Sequence, residues 1–427
     1  MRFILSPKHP TRYPMTDSHS TTDRETPLWE VVALSDVEFP AVPASVAATK
    51  GIARFLRRFR PKEDADQPPK RAEADLQALS NARRDRLVPP IRWDAAARAL
   101  SNRLGAWPSS GASHQPIRFY IGPPFSGIAE TLDVWARSSG WPRVEPPTPD
   151  QILAWDETWI TAVADAAPSG GWVLPHLEHC YLRHPDGLQG VRRFLARAVS
   201  GELGPGLIGC DSWAWVFLQK VWPVPHPEAM APQAFSGERL ARLFRRSLQD
   251  AAKTPVRVRH SVTGEDVLPT LSPDDSDRED VSSEMKRLAY DSLGNPGIAQ
   301  AYWRSRLRTA PDDPQAETSP SKETGEPGDP ECLWLSPELN APGMPSPTGE
   351  DADLVLHALL LHNGLSASLL AELLPLSHPT VVSVLLDLAA HGIVERHGEG
   401  FRVTAYAYIP VRAHLRGRDY LTAYAYG

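Results

Sequence analysis

Residues 117–131, IRFYIGPPFSGIAET, limit what this chain can fold into more than any other stretch. An apolar run ends at Gly122, and four residues follow (Pro123, Pro124, Phe125 and Ser126). Gly127 then closes the loop, and Ile128 and Ala129 open an amphipathic segment. A strand, a GxxxxG loop and a helix in that order form a frame in which backbone N–H groups and a helix N-terminus can hold a phosphate. The next two positions should carry a lysine for the phosphate charge and a Ser/Thr hydroxyl for magnesium. Here they are Ile128 and Ala129, so the frame is present and its charged chemistry is missing.

The rest of the chain has room for a frame of this kind. Its 427 residues suffice for two or three domains, and 41% hydrophobic with 23% charged residues describes a soluble globular protein. The 43 prolines, about twice ordinary usage, imply long irregular segments. A net charge of −7 gives no whole-chain attraction to nucleic acid. Cys180, Cys210 and Cys332 are too few and too scattered for a disulfide framework or a zinc site, so a reducing cytoplasm is expected. No apolar run reaches the ~20 residues of a membrane span. The first residues are too weakly apolar for a signal peptide, and Met15 offers a second start.

Five regions are expected along the chain. Residues 1–90 read as largely unstructured, apart from a basic island at 51–62, GIARFLRRFRPK, with five basic residues and no acid. That island, from Arg54 to Lys62 in particular, suits peripheral contact with an anionic membrane or an acidic partner; its plainer reading is a short helix packed on the core. In residues 91–235, short apolar runs (117–121, 172–174, 206–209) alternate with helical patterns (93–104, 128–138, 150–166, 190–199, 213–221). That alternation argues for an α/β fold with a parallel sheet. Residues 236–310 read mostly as helix around a polar loop at about 261–280. Nine prolines lie between 311 and 347, so 311–350 is expected to be an acidic linker, with a short strand at 332–335. Residues 351–427 regain order.

Three further motifs give the loop its context. The run WVLPHLEH (172–179) places Pro175 and His176 after an apolar strand, with an acid, Glu178, trailing them. The run IGCDSWAW (208–215) places Asp211 and Ser212 at a strand end, before two tryptophans that read as core anchors. The run SLGNPGIAQAYWRSR (292–306) holds a Gly-Asn-Pro turn ending at Pro296, followed by Gly297. In this order and spacing, residues 93–310 resemble a P-loop ATPase module of the STAND/AAA+ kind. The resemblance implies a P-loop NTPase-type sheet with a helical lid. It implies nucleotide contacts at Gly122, Pro123, Pro124, Phe125, Ser126, Gly127, Ile128, Ala129, Glu178, Asp211 and Pro296. The family's paired acids are replaced by Pro175 and His176, and its lid arginine by Gly297. Phosphoryl transfer depends on stabilising charge, so no catalytic residue is expected and no cofactor is required. ATP or ADP would bind weakly at best. Arg304 and Arg306 are the nearest substitutes for the missing cation, should the module be an active switch.

The C-terminal pattern, three helices (354–362, 366–373, 378–391) and two short β runs about a His-Gly-Glu-Gly turn (392–403), resembles a winged-helix domain. Such domains often read DNA with the third helix. Its outward positions here are His378, Thr380, Ser383, Asp387 and His391, with no lysine or arginine. From residue 350 onward eight acids face five arginines. DNA binding draws on phosphate neutralisation, so a protein partner is expected and DNA is not. His176, His179 and His184 sit near Cys180, but their proximity is sequential and completes no standard zinc spacing, so no metal is expected. The functional expectation is a regulatory or scaffolding pseudo-ATPase. An active ATPase switch and a winged-helix DNA-binding regulator are the alternatives.

Overall fold

The computed structural model describes residues 27–43, 70–108, 115–166, 170–251, 255–269, 281–311, 331–337, 339, 344 and 349–422. The basic island at 51–62 and most of the expected linker lie outside these residues. In chain order the strands are β1 (Val31–Ala33), β2 (Gln77–Ala78), β3 (Ile117–Gly122), β4 (Trp172–Leu174), β5 (Gly206–Asp211), β6 (Ala229–Pro232), β7 (Val256–His260), β8 (Leu307–Thr309), β9 (Glu331–Leu335), β10 (Val394–His397) and β11 (Gly400–Val403).

The helices begin with α1 (Asn81–Leu87), α2 (Asp94–Leu104), α3 (Ile128–Ser139), α4 (Pro149–Leu153), α5 (Thr158–Ala166), α6 (Gln189–Val199) and α7 (Ser212–Val221). They continue with α8 (Gly237–Ala251), α9 (Ser283–Asp291), α10 (Pro296–Arg306), α11 (Glu350–Leu361), α12 (Ala367–Leu373), α13 (His378–Ala390) and α14 (Tyr408–Gly417). Among the described residues no helix is long and apolar enough to cross a membrane.

The molecule is a mixed α/β protein around a five-stranded sheet of order β1-β6-β3-β5-β4. Strands β3, β4, β5 and β6 run parallel, and β1 closes one edge antiparallel to β6. Arg143 bridges Val173 in parallel and carries the pairing one step past β4. Side chains alternate across a strand with period two, and β3 follows this rule. Ile117, Phe119 and Ile121 enter a core with Trp172, Phe194, Ile208 and Trp215, roofed by α5 to α7. Tyr120 enters the opposite core with Leu100, Leu132, Trp135 and Leu207, roofed by α2 and α3. Burial on both faces explains why the strands read as unbroken apolar runs.

Three expectations need correction. Residues 27–43 and 70–90 are not unstructured: β1 lies in the main sheet, Trp29 is buried, and α1 packs its Arg83 and Leu87 inward. The single helix expected over 150–166 is two helices. A capping box between Thr148 and Gln151 starts α4; Trp155 then takes a left-handed turn (φ 54°). Asp156 next accepts the Thr158 N–H at 2.9 Å. Residues 236–350 are not only lid helices and linker. Besides the expected short strand, here β9, they supply β7 and β8 to a second sheet of order β2-β8-β9-β7, in which Leu333 and Leu335 are fully buried.

Helices α11 to α13, the β10–β11 hairpin and α14 form the C-terminal part. Tyr181 Oη donates to the Leu361 carbonyl (2.9 Å), and Trp213 Nε1 donates to Tyr408 Oη (2.9 Å). One apolar core runs from Trp213 and Leu240 through Trp303 to Leu356, Leu385 and Tyr408. The C-terminal elements are therefore built onto the rest of the molecule.

Candidate functional site

Parallel pairing brings the carboxyl ends of β3, β4 and β5 to one edge, with Gly122 opposite Asp211 and Leu174 opposite Ile208. In open α/β sheets ligands bind beyond such ends. Every sequence-predicted contact residue lies there, although each serves the protein's own structure. A Cβ on Gly122 would meet Ser126 Oγ at 2.5 Å and the Ile128 side chain at 2.7 Å, which pack against the glycine where the loop turns back. Gly127 is left-handed (φ 77°) and lies against the Trp93 ring. Phe125 is also left-handed (φ 68°), a conformation that a bulky residue adopts only when its surroundings impose it.

Part of the loop's donor capacity is absent or turned inward. Pro123 and Pro124 have no N–H to offer an anion. The Ser126 N–H (3.2 Å) and hydroxyl (2.6 Å) both donate to the Pro123 carbonyl. Ile128 is buried and turns into the core beside Tyr120, Leu132 and Val173. Its neighbour Ala129 is half-buried at the start of α3.

Segments distant in sequence cover the loop. Asn295 Nδ2 donates to the Pro124 carbonyl at 2.8 Å, while its Oδ1 caps α10 by accepting the Gly297 and Ile298 N–H groups. Pro296 is the first residue of that helix and is buried. At Gly297 a Cβ would strike the Phe125 carbonyl, so the lid turn and the loop interlock. From the C-terminal part, Tyr408 meets the Phe125 ring edge-on (6.1 Å), and the Arg402 guanidinium lies 5.9 Å from the same ring.

Arg304 and Arg306 do not reach the loop's missing charge. Arg304 binds the Val88 carbonyl (2.5 Å) and Asp85. Arg306 is buried and binds the Ser336 carbonyl (2.7 Å) and Glu284 (2.5 Å).

The acids at the strand ends form a second cluster. Asp211 caps α7, its Oδ1 accepting the Trp213 N–H at 2.8 Å. Glu178, on a single turn after β4, accepts the Asp211 N–H (3.0 Å) on one oxygen and faces His176 Nδ1 (2.9 Å) on the other. Both acids are buried. Burial pushes the Asp211 carboxyl well above its ordinary range, and the Glu178 charge pushes it further. Burial alone would also raise Glu178. The His176 hydrogen bond and the neighbouring imidazoles outweigh it and hold that carboxyl below its ordinary range. The two buried carboxyls are therefore pushed in opposite directions, Asp211 up and Glu178 down. The ring of His176 stacks on that of His179 (4.7 Å).

A cleft of about 440 Å³ opens beside this cluster, lined by Glu178, His179, Tyr181, His362, His397 and Phe401 among others. His362 and the covering residues Asn295, Arg402 and Tyr408 were not found from the sequence. An Asn-Pro helix start was a readable signal for Asn295. No local signal ties His362 to a cluster some 180 residues earlier.

No family model matches the chain, and no curated protein matches it. Among solved structures, a Walker-type ATPase of Pyrococcus abyssi aligns over 82% of this chain and 99% of its own, at 11% identity and a TM-score of 0.30.

Proposed function

We propose that this chain is a regulatory or scaffolding protein built on a P-loop ATPase-like module of the STAND/AAA+ kind, with its nucleotide chemistry lost and a C-terminal winged helix packed over the old site. It acts through protein contacts. The observation that carries the reading is the state of the loop at Gly122–Gly127. Two of its N–H donors are removed by proline and a third is turned inward. Its tip is held by Asn295, Gly297, Tyr408 and Arg402. A lysine at position 128 would have to bury its charge in an apolar core. The arginines that might have replaced it are bound to Asp85 and Glu284, which weighs against the active-switch alternative. The third helix of the C-terminal part carries no lysine or arginine, which weighs against DNA.

Fluorescent ATP titrated with and without magnesium tests the proposal. The expected result is no saturable binding tighter than about 1 mM, equivalent to about −4 kcal/mol. Micromolar, magnesium-dependent binding with turnover would replace this reading with the active switch.

A further inference from the structure

The fold assembles something that residue spacing did not predict. One side-chain donor atom from each of His176, Glu178 and His179 lies within 4.8 Å of the other two. We propose that these three residues form a site for a zinc-type divalent cation, open to the 440 Å³ cleft between the end of β4 and the C-terminal part.

Two observations lead there. The donor set, two imidazoles and a carboxylate, is one that zinc takes when a fourth position stays open. The second observation is independent of the cluster. His362 is 2% exposed, and neither of its ring nitrogens makes a hydrogen bond of normal geometry. A buried imidazole whose nitrogens make no hydrogen bond of normal geometry, on the wall of the same cleft, has spare capacity for a ligand.

Metal–ligand bonds of about 2.0–2.1 Å at tetrahedral angles put donors roughly 3.3 Å apart. Donor pairs now up to 4.8 Å apart therefore close toward that spacing on binding, while the 2.9 Å pair opens slightly. The cation replaces the 2.9 Å contact between His176 and Glu178, and the His176 proton leaves to solvent. The Asp211 N–H continues to orient the second Glu178 oxygen, as an outer hydrogen bond to a ligating carboxylate does.

The test uses the full chain stripped with chelator and titrated with Co(II), then Zn(II) in competition. One equivalent of Co(II) with the strong visible absorption of a four-coordinate ion is expected, and zinc should displace it. His176→Gln and Glu178→Gln should each weaken binding by more than about tenfold. His176 is partly exposed, and glutamine at 178 keeps an acceptor for the Asp211 N–H, so both variants should keep the wild-type circular dichroism. Folded wild-type protein that takes up no Co(II), or uptake unchanged in both folded variants, overturns the site. The nucleotide titration is run without transition metal, so the two proposals fail separately.

Discussion

His357 shows how single residues set this molecule's response to acid. It is buried between the two halves of the chain, where its Nε2 meets the Leu421 carbonyl (2.9 Å) and its Nδ1 meets an Arg183 N–H (3.3 Å). A carbonyl only accepts and a guanidinium only donates. The ring must therefore be neutral, with its proton on Nε2. Burial, more than the Arg183 charge, lowers its pKa to about 4. A histidine depressed in the folded state binds fewer protons than the unfolded chain between that value and about 6.5. Stability from His357 is then complete above 6.5 and falls as the pH drops through the window. Between pH 7 and pH 5 the loss should be on the order of 2 kcal/mol. Glutamine can donate and accept at the same two places and does not titrate. His357→Gln should thus flatten the pH dependence of urea unfolding by about that amount, and an unchanged slope would count against the neutral buried ring.

Among the elements, the interlock between the β3–α3 loop and the start of α10 has no slack. Gly297 lies against the Phe125 carbonyl, and Asn295 holds the Pro124 carbonyl while capping its own helix. Gly297→Ala places a methyl group where backbone already stands. Overpacking of that kind costs typically 1–3 kcal/mol, even though alanine is the better helix former. A lower urea midpoint with an unchanged m-value is expected, and a neutral or stabilising result would mean that the lid turn moves freely from the loop.

Elements of this sort divide into those legible in the sequence and those that are not. Strands β3, β4 and β5 and helices α3, α6 and α7 could be read locally, because burial on both faces makes a strand uniformly apolar and a helix carries its own period. β7 carries a short Val-Arg-Val-Arg alternation inside a region that reads mostly as helix, while β8, three residues fused to the end of α10, has no pattern of its own; both pair with β9. The loop's glycines were legible for the same local reason. What covers them was not, since Tyr408 and Arg402 arrive through tertiary packing alone.

The whole molecule differs from the string of modules that its linker composition suggests. Trp213 at the end of the main sheet, Tyr302 and Trp303 in α10, and Leu356 and Tyr408 in the C-terminal part share one apolar core. The Tyr181 and Trp213 hydrogen bonds cross the same boundary. A C-terminal part that only tethered a partner could melt by itself, because its core would be private. Here its removal would strip apolar cover from α7 and α10 and break the Tyr181 and Trp213 hydrogen bonds. Cooperative units follow contiguous cores, so calorimetry of the full chain should give one transition, with calorimetric and van't Hoff enthalpies in agreement. Two resolved transitions, with the C-terminal part melting first, would show that it is a hinged cap. The loop at Gly122–Gly127 would then be uncovered part of the time, and the case for an active switch would reopen.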